Sequence, residues 1–151
     1  MDADALLEAW EIHSRINLYF LSAVSEDALY CKSDKAKTVC GHFTHMHNVR
    51  RMWLEAATSD LAEGVAKLPS DAAKDDVEAA LTESCAAIRE LLRRGFEEGR
   101  IKGFKPSAEA FFAYLVSHES FHRGQAELVL RQAGFPLDEK VAFGMWEWGV
   151  R

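Results

Sequence analysis

The stretch PSAEAFFAYLVSHESFHRGQAELVLRQAGFP, residues 106–136, carries both ends of a long helix and two histidines on one of its faces. Pro106 and Ser107 provide the start, with Ser107 as the N-cap whose hydroxyl takes up an otherwise orphaned backbone N–H. Gly134 followed by Pro136 provides the stop. Between them only Gly124 breaks a run of good helix formers; a glycine there costs roughly 1 kcal/mol against alanine, so close packing is expected at that point. Phe111, Leu115 and Val129 share a stripe with His118 and His122, and such a stripe is expected to face a bundle interior.

Three further segments repeat the pattern. Leu6, Trp10, Ile12, Ile16, Tyr19, Phe20 and Val24 recur at helical steps, as do Val39, Phe43, Met46, Val49, Met52 and Trp53 between about Thr38 and Ala57. A third run, about Ala72 to Phe96, carries Val77, Leu81, Cys85, Ile88, Leu91 and Leu92. The three prolines, Pro69, Pro106 and Pro136, all fall at or between these segments. No stretch alternates with a period of two. The expectation is a single all-α domain over residues 1–151, a four-helix bundle with a short aromatic tail, VAFGMWEWGVR, folded back over it.

Composition narrows the function classes. With net charge -6 and no block of lysine and arginine, the chain lacks the basic footprint of a nucleic-acid binder. The longest apolar run, Phe111 to Val116, is too short to span a bilayer, and the acidic start MDADALLEAW does not read as a secretion signal, so a cytoplasmic protein is expected. Cys31, Cys40 and Cys85 form no C-x-x-C pair and read as buried free thiols of a reducing compartment.

Histidine is the informative residue. Five of the six cluster on two helices: His42, His45 and His47 on the second, His118 and His122 on the fourth; His13 stands apart. Four residues apart, His118 and His122 lie on one face about 6 Å from each other, a spacing at which two imidazoles converge on one metal ion. Buried without polar partners they would be costly, and a metal satisfies both at once. On the second helix His42 and His45 share a face with Val49 and Met52, whereas His47 points toward Arg50, Arg51 and Leu54; periodicity leaves His42 and His45 both open as a third ligand.

His118-Glu119-Ser120-Phe121-His122 also spells H-E-x-x-H, a zinc-protease signature. The extended form requires a glycine and a histidine where Gln125 and Leu128 stand, and no histidine follows His122. Downstream acids Glu127, Asp138, Glu139 and Glu147 have no motif support, and the chain offers no sheet edge to an extended peptide. A peptidase is therefore not expected, and Glu119, about 100° around the helix from His118, is expected to be a solvated surface carboxylate, a weak candidate for proton transfer.

Taken together, HFTHMHNVRRMWL and HESFHRGQAELVLRQAGFPL make the chain resemble the DinB/YfiT-like superfamily of damage-inducible, metal-binding four-helix bundles, over nearly its whole length. The resemblance implies a divalent metal, commonly zinc or nickel, held by one histidine of the second helix and an H-x-x-x-H pair of the fourth. Carried over, the pair is His118 and His122; the family's remaining ligand stands eight residues before a helix-end aromatic, and counting back from Trp53 gives His45, with His42 next. Many members carry a further histidine just before the last ligand, and here that place is Phe121. Characterised members include thiol-dependent S-transferases and isomerases, so the resemblance implies a metal-dependent transferase of a low-molecular-weight thiol to a small molecule in stress response or detoxification, and a homodimer. A metal-dependent hydrolase and a non-catalytic metal-binding stress protein are the alternatives.

Further expectations are attached to single residues. Cys40, five residues from His45, lies about 140° away around the helix, which favours an external thiol over this one. Arg123 is expected to form an ion pair at a helix seam, and Gln125 to stand behind a ligand. Arg100, Lys102 and Lys105 lie in a glycine-rich stretch, residues 93–105, expected to be a solvated loop, with reception of a substrate carboxylate as the alternative. Phe143, Trp146 and Trp148 are expected to cap the bundle, over the site or over a dimer seam.

Overall fold

The computed structural model describes residues 2–151 and is helical, with no strand among them. Four long helices form the bundle: α1 (Ala3–Ala23), α3 (Val39–Ala57), α5 (Lys74–Glu98) and α6 (Ala108–Gln132). Short helices α2 (Glu26–Leu29), α4 (Ser59–Ala62) and α7 (Glu139–Gly144), with a final 3-10 turn (Trp148–Val150), occupy the connections and tail. No helix is long and apolar enough to cross a membrane among the described residues.

Local chemistry fixes the ends. The side chains of Asp2, Thr38 and Ser107 each accept a backbone N–H in the first turn of α1, α3 and α6. At the far end of α6, Gly134 takes φ +84 and the N–H of Phe135 reaches back to Leu130 O at 2.8 Å, closing a Schellman motif before Pro136. Gly99 ends α5 in the same left-handed conformation, φ +72.

The apolar core comes in two clusters. One gathers Phe20, Leu21, Phe43, Met46, Leu81 and Leu130; the other gathers Leu7, Trp10, Leu54, Ile88, Phe111 and Leu115. Each fully buried side chain of this kind contributes about 1.5–3 kcal/mol. The order in which each helix visits the clusters gives its direction: α1 and α6 run one way, α3 and α5 the other. Two consecutive parallel helices need a connection that travels the length of the bundle, and residues 58–73 supply it. Arg51 Nε to Val65 O (2.8 Å), His47 Nε2 to Ala66 O (2.7 Å) and a two-way amide pairing of Asn48 with Leu68 (2.9 Å each) stitch this returning segment to α3. Helix α3 packs between α5 and α6, and α1 lies on α5 with lighter contact to α6.

What separates the two apolar clusters is a polar layer. His13 and Asn17 from α1, His47 and Arg50 from α3, Ser84 from α5 and Glu119 from α6 are all buried at the same level of the bundle. The histidine clusters noted in the sequence lie at that level too.

Candidate metal centre

Helix α3 presents His45 and helix α6 presents His118 and His122 across the seam between them. One ring nitrogen from each comes within 4.8 Å of the other two, and the Nε2 atoms of His45 and His118 stand 3.3 Å apart. Around a tetrahedral zinc with bonds of 2.0–2.1 Å, two ligand nitrogens are roughly 3.3–3.4 Å apart. The donor set fits a divalent ion. His122 is buried, while His45 and His118 are half-buried, so the cluster lies at the rim of the seam and opens to solvent on one side.

The three imidazoles are held neutral. Burial lowers the pKa of each; His45 is lowered further by His118, and His122, surrounded by His45, His118 and His42, falls to about 4. A neutral ring keeps the lone pair a metal needs. Nδ1 of His118 is buried with no hydrogen-bond partner among the described residues. No carboxylate or thiol joins the three nitrogens among those residues.

Aromatic side chains wall the site. Tyr114 stacks on His118 (centroids 6.0 Å, 24°) and touches Trp53, Phe104 and Phe111 behind it. On the other side Phe121, 61% exposed, stands edge-on to His122 at 5.2 Å. Lys37, just ahead of the α3 cap, is the cation whose charge bears on His42, His45 and His122. The sequence offered no signal for Lys37, which approaches the site through the fold of the 30–38 loop.

Glu119 is not a surface carboxylate. It is fully buried, bonded by Arg50 through Nε (2.6 Å) and Nη2 (2.8 Å), by His13 Nε2 (2.9 Å) and by Asn17 Nδ2 (2.9 Å). Burial alone would raise its pKa, but the Arg50 charge and hydrogen bonds outweigh that and hold it well below the usual carboxylate range. Burial keeps His13 neutral, so it donates its Nε2–H to the carboxylate. The reason for the miss is geometric: α6 buries Phe111, Leu115, Glu119, His122, Ala126 and Val129 in steps of three and four, and Glu119 sits in the middle of that stripe. His118 lies at its edge. A carboxylate in step with Leu115 and His122 was the available signal.

The remaining histidines separate. His42 stays out of the triad; its Nδ1 lies 3.0 Å from Nδ1 of His122. His47 faces the core, donating Nε2–H to Ala66 O and meeting Ser84 Oγ with Nδ1 at 3.1 Å. Cys40 is buried beside Ala72 O and takes no part. Cys31 and Cys85 are only partly buried.

The other candidates are not brought to the triad. Arg100 and Lys102 line a cleft with Ala57, Thr58 and Gly95; Ala57 is roughly 18 Å along the helix from His45. That cleft lies at the C-terminal ends of α3 and α5, where helix dipoles favour cations, and Glu98 lines it as well. Lys105 is exposed in the same loop. Arg123 sits at the α1–α6 seam, but its partner there is the neutral amide of Asn17, Oδ1 at 2.6 Å, rather than the carboxylate of an ion pair. Gln125 is half-buried and makes no side-chain hydrogen bond among the described residues, so it supports no ligand here. Gly124 is not closely packed: a Cβ there would meet nothing within 4 Å. The tail does fold back, burying Gly144 and Met145, yet Phe143 and Trp146 stay 70% and 80% exposed. Trp146 and Trp148 line a cleft with Ser120, Arg123, Gly124 and Glu127. Those α6 positions lie about 100–160° around the helix from His122, so the tail does not cover the triad.

Residues 1–139 match the model of the DinB family. No curated protein and no solved structure gave a significant match.

Proposed function

Taking as premise that the chain belongs to the DinB family, we propose that it binds zinc or nickel at His45, His118 and His122 and transfers a low-molecular-weight thiol to a small electrophile. The observation that carries the metal half is the tetrahedral spacing of the His45 and His118 Nε2 atoms, 3.3 Å, with His122 closing the third side. A divalent ion there supplies a Lewis acid that favours the anionic form of a thiol at neutral pH.

The chain's own groups do the rest. Three neutral imidazoles leave the solvent side of the cluster for a co-substrate. Tyr114 and Phe121 give an apolar electrophile a surface and keep water from that side, and Lys37 offers a positive charge to an acidic thiol. Cys40 is no alternative nucleophile, because burial pushes its thiol up to about 11. In the transfer the sulfur–carbon bond forms as the electrophile's leaving group departs with the bonding pair, and the thiol proton passes to solvent.

Hydrolysis by an activated water is the second reading. It finds no free carboxylate at the triad, since Glu119 is committed to Arg50. A stress-response role in the cytoplasm and a homodimer belong to the same proposal, the latter readable by sedimentation. The deciding experiment measures metal content of the wild type and of His45→Ala, His118→Ala and His122→Ala, then assays conjugation with several small thiols. Stoichiometric metal retained in all three variants sinks the ligand set. Metal with no conjugation, alongside ester or amide cleavage, replaces the transferase with the hydrolase; metal with neither activity leaves the non-catalytic protein.

A further inference from the structure

His42 is buried, 6% exposed, one turn before His45 on α3, and its Nδ1 stands 3.0 Å from Nδ1 of His122. Two facing imidazole nitrogens at that distance make a hydrogen bond only if one carries the proton and the other a lone pair. The centroids of the two rings are 5.3 Å apart, while the His122 ring is 4.4 Å from His45 and 4.6 Å from His118. His122 is thus gripped by His42 through one nitrogen and packed on the other two ligands. Histidines that hold metals ordinarily donate their free N–H to a carboxylate, a carbonyl or water, and that partner fixes both tautomer and ring orientation. Glu119, the nearest carboxylate in sequence, is taken by Arg50, and His118 has no such partner for its buried Nδ1.

We propose that His42 is a positioning residue: its Nδ1 accepts a hydrogen bond from Nδ1–H of His122 and so leaves the His122 Nε2 lone pair as the metal-binding one. This rests on the metal reading above and deepens it. The site is then built from four histidines with two roles, three that hold the ion and one that orients a holder.

The alternative arrangement, with His42 as a fourth ligand and both Nδ1 atoms on the ion, makes different predictions. Asparagine places its Oδ1 where the Nδ1 of histidine stands, so His42→Asn keeps the acceptor, whereas His42→Leu keeps the bulk and removes it. Zn2+ affinity is measured by competition with a chromogenic chelator, with circular dichroism confirming that both variants fold. Co2+ absorption reports the ligand number, and long-range 15N–1H correlation spectra of the zinc-loaded wild type report the His122 tautomer. The expected result is about 10–100-fold weaker zinc binding in His42→Leu, recovery to within about threefold in His42→Asn, unchanged Co2+ bands in both, and His122 protonated at Nδ1. Wild-type affinity in His42→Leu, no recovery in His42→Asn, altered Co2+ bands, or His122 bound through Nδ1 would each overturn it. In those cases the wild type still loads, and only the role of His42 falls; a wild type that takes up neither Zn2+ nor Co2+ removes the metal reading itself and this one with it.

Discussion

Arg50 and Glu119 meet at the centre of the bundle as a two-pronged pair, Nε to Oε1 at 2.6 Å and Nη2 to Oε2 at 2.8 Å, with neither side chain reaching solvent. Each also has neutral partners: Leu81 O and Ser84 Oγ for Arg50, His13 and Asn17 for Glu119. Breaking such a pair from one side strands the other charge. Glu119→Leu or Arg50→Met alone is expected to cost about 3–5 kcal/mol, while the variant carrying both costs less than the sum of the two. Urea denaturation of the metal-free protein measures this; additive losses would show that the two residues act independently.

Acid should unfold the metal-free protein well before Glu119 titrates. All six histidines have pKa values lowered in the fold, chiefly by burial, with His122 at about 4. The unfolded chain takes up protons near 6.5, the folded chain resists them further down, so protons favour the unfolded state below pH 6.5. The histidine contribution is complete above pH 6.5 and is lost as pH falls through the lowered values toward 4. Thermal melts from pH 7.5 to 4.5 are expected to show a falling Tm; a flat profile over that range would contradict the burial seen for these rings.

Two glycines on neighbouring helices should respond oppositely to alanine. At Gly95 a Cβ would run into Ile101 Cδ1 and stand 3.3 Å from Arg100 O, and overpacking of that kind costs about 1–3 kcal/mol. At Gly124 a Cβ meets open space in mid-helix, so Gly124→Ala is expected to gain about 1 kcal/mol from helix propensity. Paired denaturation curves decide it, and a loss at Gly124 would mean the exposed face of α6 is covered in solution.

Cys40 should resist alkylation in the folded protein. Its thiol is buried and pushed up to about 11, first by burial and then by Asp71. Iodoacetamide at pH 8 followed by peptide mass spectrometry is expected to leave Cys40 unmodified until urea is added. Rapid native labelling at this residue would reopen the question of an internal nucleophile.

Most of the fold was written locally. The Ser107 cap, the Gly134–Pro136 stop and the apolar stripes placed the long helices to within a few residues, because capping and periodicity act within a turn or two. The His118–His122 pair was legible for the same reason. His45 against His42 was not separable by periodicity, since both share a face of α3 and only the distance to α6 distinguishes them. The roles of Arg50, His13 and Asn17 depend on which helices become neighbours, and the parallel run of α3 and α5 is set by a returning segment with no periodic signal. Gly124 misled because helix propensity says what a glycine costs, not what stands opposite it.

The polar layer has a consequence for alignment. Apolar stripes interlock nearly as well after one helix slides by a turn, about 5.4 Å, because leucine and phenylalanine accept one another's places. Charges do not. A turn of slip between α6 and α3 would part Glu119 from Arg50 and, in the same motion, carry His118 away from His45. The ion pair therefore acts as a ruler laid across the bundle, and the spacing of the three nitrogens at the rim is kept by a contact none of them makes.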